Sequence, residues 1–284
     1  MAKEGNFPFV WNRIHFKGDF TLRLDNPSVY RYMPFSRVQD MLKDSEITFV
    51  SPNLWDDPYE KRYYNVKVDG KENVVPKMVC LCFTTSENEN ADAFWNRSKT
   101  SGEQWVCVKF SLYELLDSLN DFAKKNDARI YVSSAQYTPE NDIKNAAKKW
   151  RISEQYLEPA YVRLMSLKRN AFRYENEIRI FVVWDNDSQE IKGFEKTNDG
   201  KGELLKISFK NRKNCFIKKI TVGPAICKTD ENDNSKDAKK KSKKNESEYK
   251  NELEQLVKSS KRNITINQSQ FGNFNKCDGI KLSK

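Results

Sequence analysis

The sequence is poor in histidine, with His15 alone among 284 residues. Catalysis by Ser-His-Asp or Cys-His groups needs a histidine base, and a lone histidine near the N-terminus argues against both. The six cysteines form no CxxC pair, so a Cys/His zinc site lacks its usual ligand spacing. We therefore expect no metal centre of this type and no histidine-based nucleophile.

Long apolar runs and glycine-rich phosphate loops are also missing. No run reaches the roughly 18 apolar residues that a membrane span needs, so we expect no membrane partner. The opening "MAKEGNFPFVW" lacks a basic region followed by an apolar one, which predicts no secretion signal. Isolated cysteines in apolar strands indicate a reducing, cytoplasmic location. No segment meets the Rossmann or Walker pattern.

What the chain has in excess is positive charge and aromatic rings. The net charge is +10, and 12% of the residues are Phe, Tyr or Trp. Strongly basic chains often bind nucleic acid or other anionic surfaces. A Lys-rich and Asn-rich composition without an Arg-rich stripe also arises with no such partner. Both interpretations stay open.

Strand-like and helix-like segments alternate without a regular βαβ rhythm. This favours an α+β fold with mixed, mainly antiparallel sheets and flanking helices, in a single domain over 1–284. One amphipathic helix is predicted after Ser36 and another after Ser111, each serine acting as N-cap. The segment 228–250 has no apolar periodicity and predicts a disordered, charged insertion.

The stretch "FRYENEIRIFVVW" raises the main chemical question. On a strand, Glu175, Glu177 and Arg179 share one face, with the two acids roughly 7 Å apart. The apolar run that follows indicates an interior strand. Partly buried acids need partners or a task, so either a structural ion pair or a working site fits.

Further candidate residues are scattered through the chain, and each has a structural alternative. Arg31 lies between two tyrosines in the sequence, an arrangement that could bind an anion between the rings. Its structural alternative is an ion pair with an acid at the edge of the core. Trp95 is a candidate site residue whose structural alternative is a ring that closes a loop over the core. Lys168 is a candidate whose structural alternative is an exposed helical lysine. The remaining candidates have alternatives as turn or strand-end residues: Ser51, and Asp57, Tyr59 and Glu60 of "WDDPYE".

Taken in order, these motifs resemble a known family. The series "YRY", "ITFVSPNLWDDPYE", "VCLCFTTSE", "FW", "K" and "YENEIRI" is similar to the bacterial and phage domain of unknown function family 2971. The likeness runs from about Tyr30 to about Pro224, and the last motif is its most specific part. Asp56, Phe94 and Ser98 depart from the family's usual Asn, Met and Tyr.

The order of motifs is in turn similar to the ADP-ribosyltransferase superfamily, in which NAD is the substrate. The resemblance implies that Arg31 holds the ribose or pyrophosphate and that Ser51 supplies the middle-strand hydroxyl, a role that Thr84 to Ser86 fit less well. It implies Glu177 as the catalytic carboxylate, with Glu175 positioning or deprotonating the acceptor. The other residues implied for NAD binding are Tyr30, Tyr32, Asp57, Tyr59, Trp95, Lys168 and Arg179.

By this resemblance the protein is an NAD-consuming enzyme that modifies a nucleic-acid or protein acceptor, plausible as a toxin or antiphage defence effector. Two other functions stay open. Asp57, Glu175 and Glu177 with Lys168 suit a metal-dependent nuclease if the acids converge on Mg²⁺. Aromatic residues beside Arg and Lys suit a non-catalytic module that binds a nucleotide or RNA.

Overall fold

The computed structural model is mixed α and β, as predicted, with mainly antiparallel strand pairing. It describes residues 13–17, 28–61, 64, 77–87, 93–96, 101–149, 157–185, 191–200, 202–210, 215–224 and 236–269. No helix in those ranges has both the length and the apolar character needed to cross a bilayer.

The strands, numbered in chain order, are β1 Ile14–Lys17, β2 Ser28–Pro34, β3 Glu46–Val50, β4 Lys77–Thr84, β5 Trp105–Ser111, β6 Arg129–Ser134, β7 Gln136–Thr138, β8 Leu167–Arg169, β9 Glu177–Trp184, β10 Phe194–Lys196, β11 Glu203–Ser208, β12 Ile217–Val222 and β13 Thr265–Gln268. The helices are α1 Phe35–Asp44, α2 Leu112–Lys125, α3 Glu140–Lys149, α4 Leu157–Leu164 and α5 Lys236–Ser259. Two 3₁₀ segments cover Pro52–Leu54 and Asn170–Glu175.

The chain forms two compact units, each assembled from three stretches of sequence. Unit 1 comprises Met1–Val29, Glu46–Ser86 and Ser111–Phe216, and unit 2 comprises Tyr30–Ser45, Glu87–Phe110 and Ile217–Lys284. The single-domain assignment stays a prediction.

Strand β9 is the central strand of unit 1 and is buried along its whole length. It pairs antiparallel with β4 on one side and β6 on the other, and β6 pairs in parallel with β1. Beyond β4 the order continues antiparallel through β3, β11 and β10. The density of Ile, Val and Phe in β9 suits this position, since branched and aromatic side chains pack well on a pleated surface.

One face of β9 changes character along its length. Glu177 and Arg179 occupy the first two positions on this face, and Phe181 and Val183 occupy the next two. Phe181 and Val183 belong to a buried core that includes residues of α3 and α4, such as Ile143 and Tyr161. The charged side chains therefore lie at the end of an apolar layer that fixes the strand beneath them.

Two helix starts were predicted, and the structure bears out one. Ser111 is the N-cap of α2, which buries the predicted leucines 112, 115, 116 and 119. Helix α1 begins at Phe35 with Pro34 as its N-cap, two residues before the predicted cap Ser36. The fixed φ of proline is compatible with the extended backbone of this cap residue, which has φ −54° and ψ 143°.

Unit 2 contains β12 and β13, with most of β2 and most of β5. Strand β12 pairs antiparallel with β5 and in parallel with β13. Helix α5 packs against α1, where the rings of Phe35 and Tyr249 are 4.7 Å apart. The helix begins at Lys236. The later part of the segment 228–250, predicted to be disordered, is therefore helical, and 225–235 lie outside the described residues.

Candidate functional site

A tight turn precedes β9 and corrects the expected placement of the two acids. The strand begins at Glu177, while Glu175 ends a 3₁₀ segment. Between them Asn176 has a φ of 41°, a left-handed conformation that Asn adopts more readily than most residues. The backbone N–H of Thr85 donates to the Asn176 carbonyl at 3.1 Å and anchors this turn. The two acids therefore approach each other through a turn and not through strand alternation.

Lys168 joins the two acids. It lies in β8, and its Nζ donates to Glu175 Oε2 at 2.7 Å and to Glu177 Oε2 at 2.5 Å. Its third carboxylate partner is Glu60, with Nζ 3.2 Å from Oε1. The side chain is only 8% exposed, so the alternative of an exposed helical lysine is wrong. An ammonium group has three donors, and three carboxylates surround this one.

Arg179 is the second cation and is completely buried. Its Nε donates to Glu177 Oε1 at 2.9 Å, and Nη2 donates to Glu177 Oε2 at 3.3 Å, so the guanidinium contacts both carboxylate oxygens. The same Nη2 donates to Glu60 Oε2 at 2.7 Å, and Nη1 donates to the Met165 carbonyl at 2.6 Å. The ring of Trp55 lies 4.5 Å from the guanidinium carbon and covers one side of it.

Glu60 completes the arrangement; it is a candidate residue of the "WDDPYE" motif but is not among the residues that the resemblance implies for catalysis or NAD binding. Glu60 and Glu177 each contact both Lys168 and Arg179, so four charges alternate around a closed ring. Glu175 attaches to this ring at Lys168. We call Glu60, Lys168, Glu175, Glu177 and Arg179 the charge cluster. The "WDDPYE" motif contains Glu60, but nothing in the sequence shows that a residue 119 positions before Arg179 meets it.

The charge cluster holds three carboxylates and two cations, all with 8% exposure or less. Burial alone raises the pKa of a carboxyl group, and it raises the pKa of Glu60 despite Arg179 and Lys168. Burial opposes ionisation of Glu177 too, but Arg179 and Lys168 outweigh it and lower its pKa to about 2. Neighbouring acids of one cluster thus have pKa values displaced in opposite directions.

The backbone at Glu177 is fixed as firmly as its side chain. Its N–H donates to the hydroxyl oxygen of Tyr137 at 2.8 Å, and its carbonyl accepts from the Ala135 N–H at 2.8 Å. Burial raises the pKa of Tyr137 to about 12, so this hydroxyl stays protonated. Cys82 faces Arg179 across the β4–β9 pair, with its Sγ 3.8 Å from that of Cys80.

Asp57 and Tyr59 belong to a second set of contacts at Arg169, the residue after Lys168. Arg169 Nε donates to Asp57 Oδ2 at 2.9 Å. Its guanidinium carbon lies 4.9 Å from the centre of the Tyr59 ring and 4.9 Å from that of Phe172. Lys168 Nζ lies 5.2 Å from the Phe172 ring, which connects this set to the charge cluster.

Ser51 is predicted as a site residue and is fully buried. Its hydroxyl donates to the side-chain oxygen of Asn53 and accepts from the Glu203 N–H at 3.0 Å. These contacts join β3 to the beginning of β11 and give the hydroxyl a structural task. A role in NAD binding stays a prediction.

The remaining predicted residues, Tyr30, Arg31, Tyr32 and Trp95, belong to unit 2. Tyr30 and Trp95 are buried in a small cluster with Cys107. The Tyr32 ring stacks on Phe94 at 4.5 Å and meets the edge of Trp95 at 4.7 Å. Both tyrosine hydroxyls donate to Glu87, and burial raises their pKa values well above normal. Arg31 is partly exposed, and Ser98 lies outside the described residues.

The charge cluster also bears on the nuclease alternative. Two-metal and one-metal nucleases need carboxylates that converge on a cation. Here the Lys168 ammonium lies between Glu60, Glu175 and Glu177, in the place where a metal ion would have to lie. Within the described ranges no group of three or more His, Cys, Asp or Glu side chains is arranged to hold a metal ion.

Comparisons with known proteins identify one solved structure of low similarity and no family. No family model matches the chain, and no curated protein matches it. One solved structure that matches is DarT of Thermus sp. 2.9 in complex with NAD⁺, which is 7% identical. The alignment covers 87% of this chain and 97% of that chain, with a TM-score of 0.35. A TM-score this low does not establish a common fold for the two chains.

Proposed function

We propose that the protein is an ADP-ribosyltransferase-like enzyme that consumes NAD and modifies a macromolecular acceptor. The supporting observation is that Glu177 is a buried carboxylate held ionised, with a pKa of about 2, in a frame of two cations. The motif resemblance assigns the catalytic carboxylate to this same residue. An acid that never protonates at neutral pH suits electrostatic work better than proton transfer.

The chemistry needs such a group. When the bond between nicotinamide and ribose breaks, the sugar becomes cationic and resembles an oxocarbenium ion. A preorganised carboxylate next to the ribose stabilises that charge without having to reorient. Arg179 and Lys168 keep the Glu177 carboxylate in one orientation by charge-assisted hydrogen bonds.

The remaining roles follow the resemblance. Arg31 holds the ribose or pyrophosphate, with Ser51 as the middle-strand hydroxyl and Glu175 positioning the acceptor. Trp55, Tyr59 or Trp95 offers a ring for nicotinamide or adenine, and among these Trp55 and Tyr59 are partly exposed while Trp95 is buried. The burial of Trp95 favours the first two rings as stacking partners.

The distribution of charge favours a nucleic-acid acceptor. Most of the net charge of +10 falls in unit 2, chiefly in the stretch from Ile217 to Lys284. Concentrated positive charge attracts the phosphate backbone regardless of base sequence. A toxin or defence effector that modifies nucleic acid fits this combination.

The decisive experiment is incubation of the purified chain with labelled NAD and candidate acceptors, followed by measurement of released nicotinamide. We expect release by the native protein and its loss in Glu177→Gln. Glu195→Gln is the matched control, because Glu195 forms an exposed pair with Lys206 outside the charge cluster. No release by the native protein with any acceptor, or full activity in Glu177→Gln, contradicts the proposal.

The saturation of the charge cluster favours a second candidate, the non-catalytic nucleotide or RNA-binding module. Each of its three carboxylates has a cation partner within 3.2 Å, as in a structural ion network. This candidate predicts binding of RNA or nucleotide that persists in Glu177→Gln, with no nicotinamide release from NAD.

A further inference from the structure

Tyr137 lies beside the charge cluster, is partly exposed, and is absent from the residues predicted for the site. It belongs to β7, where it is opposite Lys168 of β8 in the parallel pair. Its hydroxyl oxygen accepts from the backbone N–H of Glu177 at 2.8 Å. The charges of Glu177, Lys168 and Glu175 all act on its pKa. Tyr137 is therefore a direct neighbour of the carboxylate residue to which we assign catalysis.

The hydroxyl of Tyr137 uses only its accepting capacity within the protein. A phenolic hydroxyl both accepts and donates hydrogen bonds. The N–H of Glu177 points at the oxygen, so the hydroxyl hydrogen must be turned away from that group. Within the part of the chain that the structure describes, the hydroxyl makes no second hydrogen bond. Burial raises its pKa to about 12, so the hydrogen is present at neutral pH and can be donated to a ligand.

The side chain of Glu177, in contrast, already accepts from several protein donors. Lys168 Nζ donates to Oε2, while Nε and Nη2 of Arg179 donate to Oε1 and Oε2. These contacts fix the position of the carboxylate, which suits electrostatic stabilisation of a cation. A substrate next to this fixed charge must be oriented by hydrogen bonds to other groups. Tyr137 is such a group, and its oxygen is held by the backbone of the same residue.

Resting on the proposed function, we propose that Tyr137 binds the substrate by donating its O–H to the 2′-hydroxyl of the nicotinamide ribose. Two sugar oxygens lie next to the bond that breaks, the ring oxygen and the 2′-hydroxyl. The ring oxygen shares the positive charge that develops on the sugar, which makes it a poor acceptor. The 2′-hydroxyl is the better acceptor of the two. One hydrogen bond from Tyr137 then sets the distance between the ribose and the Glu177 carboxylate.

The test compares the native full-length protein with Tyr137→Phe on three substrates. These are NAD and two analogues that lack either the 2′-hydroxyl or the 3′-hydroxyl of the nicotinamide ribose. The measurement is kcat/KM for nicotinamide release, and the two proteins are compared on the same compound, so its intrinsic reactivity cancels. We expect the loss in Tyr137→Phe to be about tenfold larger on NAD than on the 2′-deoxy analogue, as for one hydrogen bond. The 3′-deoxy analogue should behave like NAD.

The matched control is Tyr161→Phe, because the Tyr161 hydroxyl donates to the Tyr64 carbonyl at 2.8 Å within the same unit. A purely structural hydroxyl should change all three substrates by one common factor. A common factor in Tyr137→Phe as well overturns the inference and leaves the proposed function intact. A smaller loss on the 3′-deoxy analogue than on NAD also contradicts the assignment to the 2′-hydroxyl. No nicotinamide release from NAD by the native protein overturns both proposals.

A second variant separates the two hydrogen bonds of the hydroxyl and guards against loss of folding in Tyr137→Phe. Replacement of Tyr137 by O-methyltyrosine keeps an oxygen for the Glu177 N–H and removes only the hydrogen that is donated. Circular dichroism and thermal unfolding check the fold of both variants. We expect the O-methyl variant to show the same larger loss on NAD than on the 2′-deoxy analogue. An equal loss on all three substrates in this variant contradicts the inference.

Discussion

Arg179 contacts both carboxylate oxygens of Glu177, with Nε 2.9 Å from Oε1 and Nη2 3.3 Å from Oε2. The two residues are separated by one position on β9, and Arg179 has no exposed surface. A paired guanidinium this deep in the fold cannot exchange its partners for water. The orientation of Glu177 is therefore a property of the packed sheet.

We expect Arg179→Met to be strongly destabilising. The methionine roughly preserves the apolar volume but leaves three carboxylates facing one cation. Breaking a buried ion pair from one side typically costs about 3–5 kcal/mol. Denaturant unfolding measures the change. Arg13→Met is the control, since Arg13 pairs with the exposed Asp127 and such pairs contribute about 0–1 kcal/mol. Equal stabilities of the two variants would contradict a buried charge cluster.

Glu177→Gln should be tolerated by the fold far better than Arg179→Met. The substitution conserves shape and leaves two carboxylates facing two cations, so the cluster becomes balanced. We expect a change in unfolding free energy well below that of Arg179→Met, by the same denaturant method. A collapse of the fold in Glu177→Gln would show that this carboxylate is principally structural.

Acid should weaken the native protein through Glu177. Its folded-state pKa of about 2 lies below the ordinary value of 4.5, so its stabilising effect is complete above about pH 4.5. The effect is lost as the pH falls through 4.5 towards 2, because the unfolded chain then binds the proton more readily. Urea unfolding at several pH values should show this slope in the native protein and a smaller slope in Glu177→Gln. Equal slopes would mean that another group governs acid unfolding.

The carboxyl group of Glu60 should have the opposite effect on stability. Its raised pKa means that the stabilisation is present at low pH and is lost as the pH rises through the folded-state value. Glu60→Gln should therefore gain stability relative to the native protein as the pH increases from acid to neutral. Parallel stability curves for the two proteins would contradict the raised pKa of this group.

Ser51→Ala separates a structural role from a ligand-binding role. The hydroxyl accepts from the Glu203 N–H inside the fold, and a buried donor that loses its partner costs about 1–3 kcal/mol. We expect lower stability by thermal unfolding, together with unchanged NAD affinity if the contact is purely structural. A loss of NAD affinity in a well-folded variant would instead support the role that the resemblance assigns to Ser51.

Arg31→Ala should weaken NAD binding, if Arg31 holds the ribose or pyrophosphate. Charge-assisted hydrogen bonds from arginine to phosphate contribute about 1.5–3 kcal/mol, so calorimetry should show a loss of roughly tenfold or more. Arg37→Ala is the control, because Arg37 is exposed on α1 of the same unit. Equal affinities of the two variants would exclude Arg31 from the binding site.

The sequence predicted the secondary-structure elements of this fold better than the tertiary contacts between them. Apolar periodicity located α2 and the interior strand β9, because both signals depend on neighbours within one segment. The turn at Asn176 was not predicted. The segment "YENE" is compatible with a continuous strand, and a single left-handed residue does not change the sequence pattern around it. Lys168 looked helical because the amphipathic pattern from α4 runs on without a visible break.

The candidate site divides in the same way. Glu175, Glu177, Lys168 and Arg179 are close in sequence, and their chemistry made them candidates. The sequence indicates Glu60 only as an acid in a turn motif. Its pairing with Arg179 is a tertiary contact that no local pattern encodes. Trp95 and Tyr30 are predicted to contact a ligand, but in the structure both are buried in packing contacts. Large aromatic side chains often contribute to a core in this way.

The contacts of the Lys168 ammonium have a consequence for folding. It gathers carboxylates from a loop before β4, from the turn before β9 and from β9 itself, while Arg179 joins Glu60 across 119 positions of sequence. Closing a long stretch of chain costs entropy before any contact repays it, so we expect contacts between such distant segments to form late in folding. A partly folded chain is then expected to lack the assembled charge cluster.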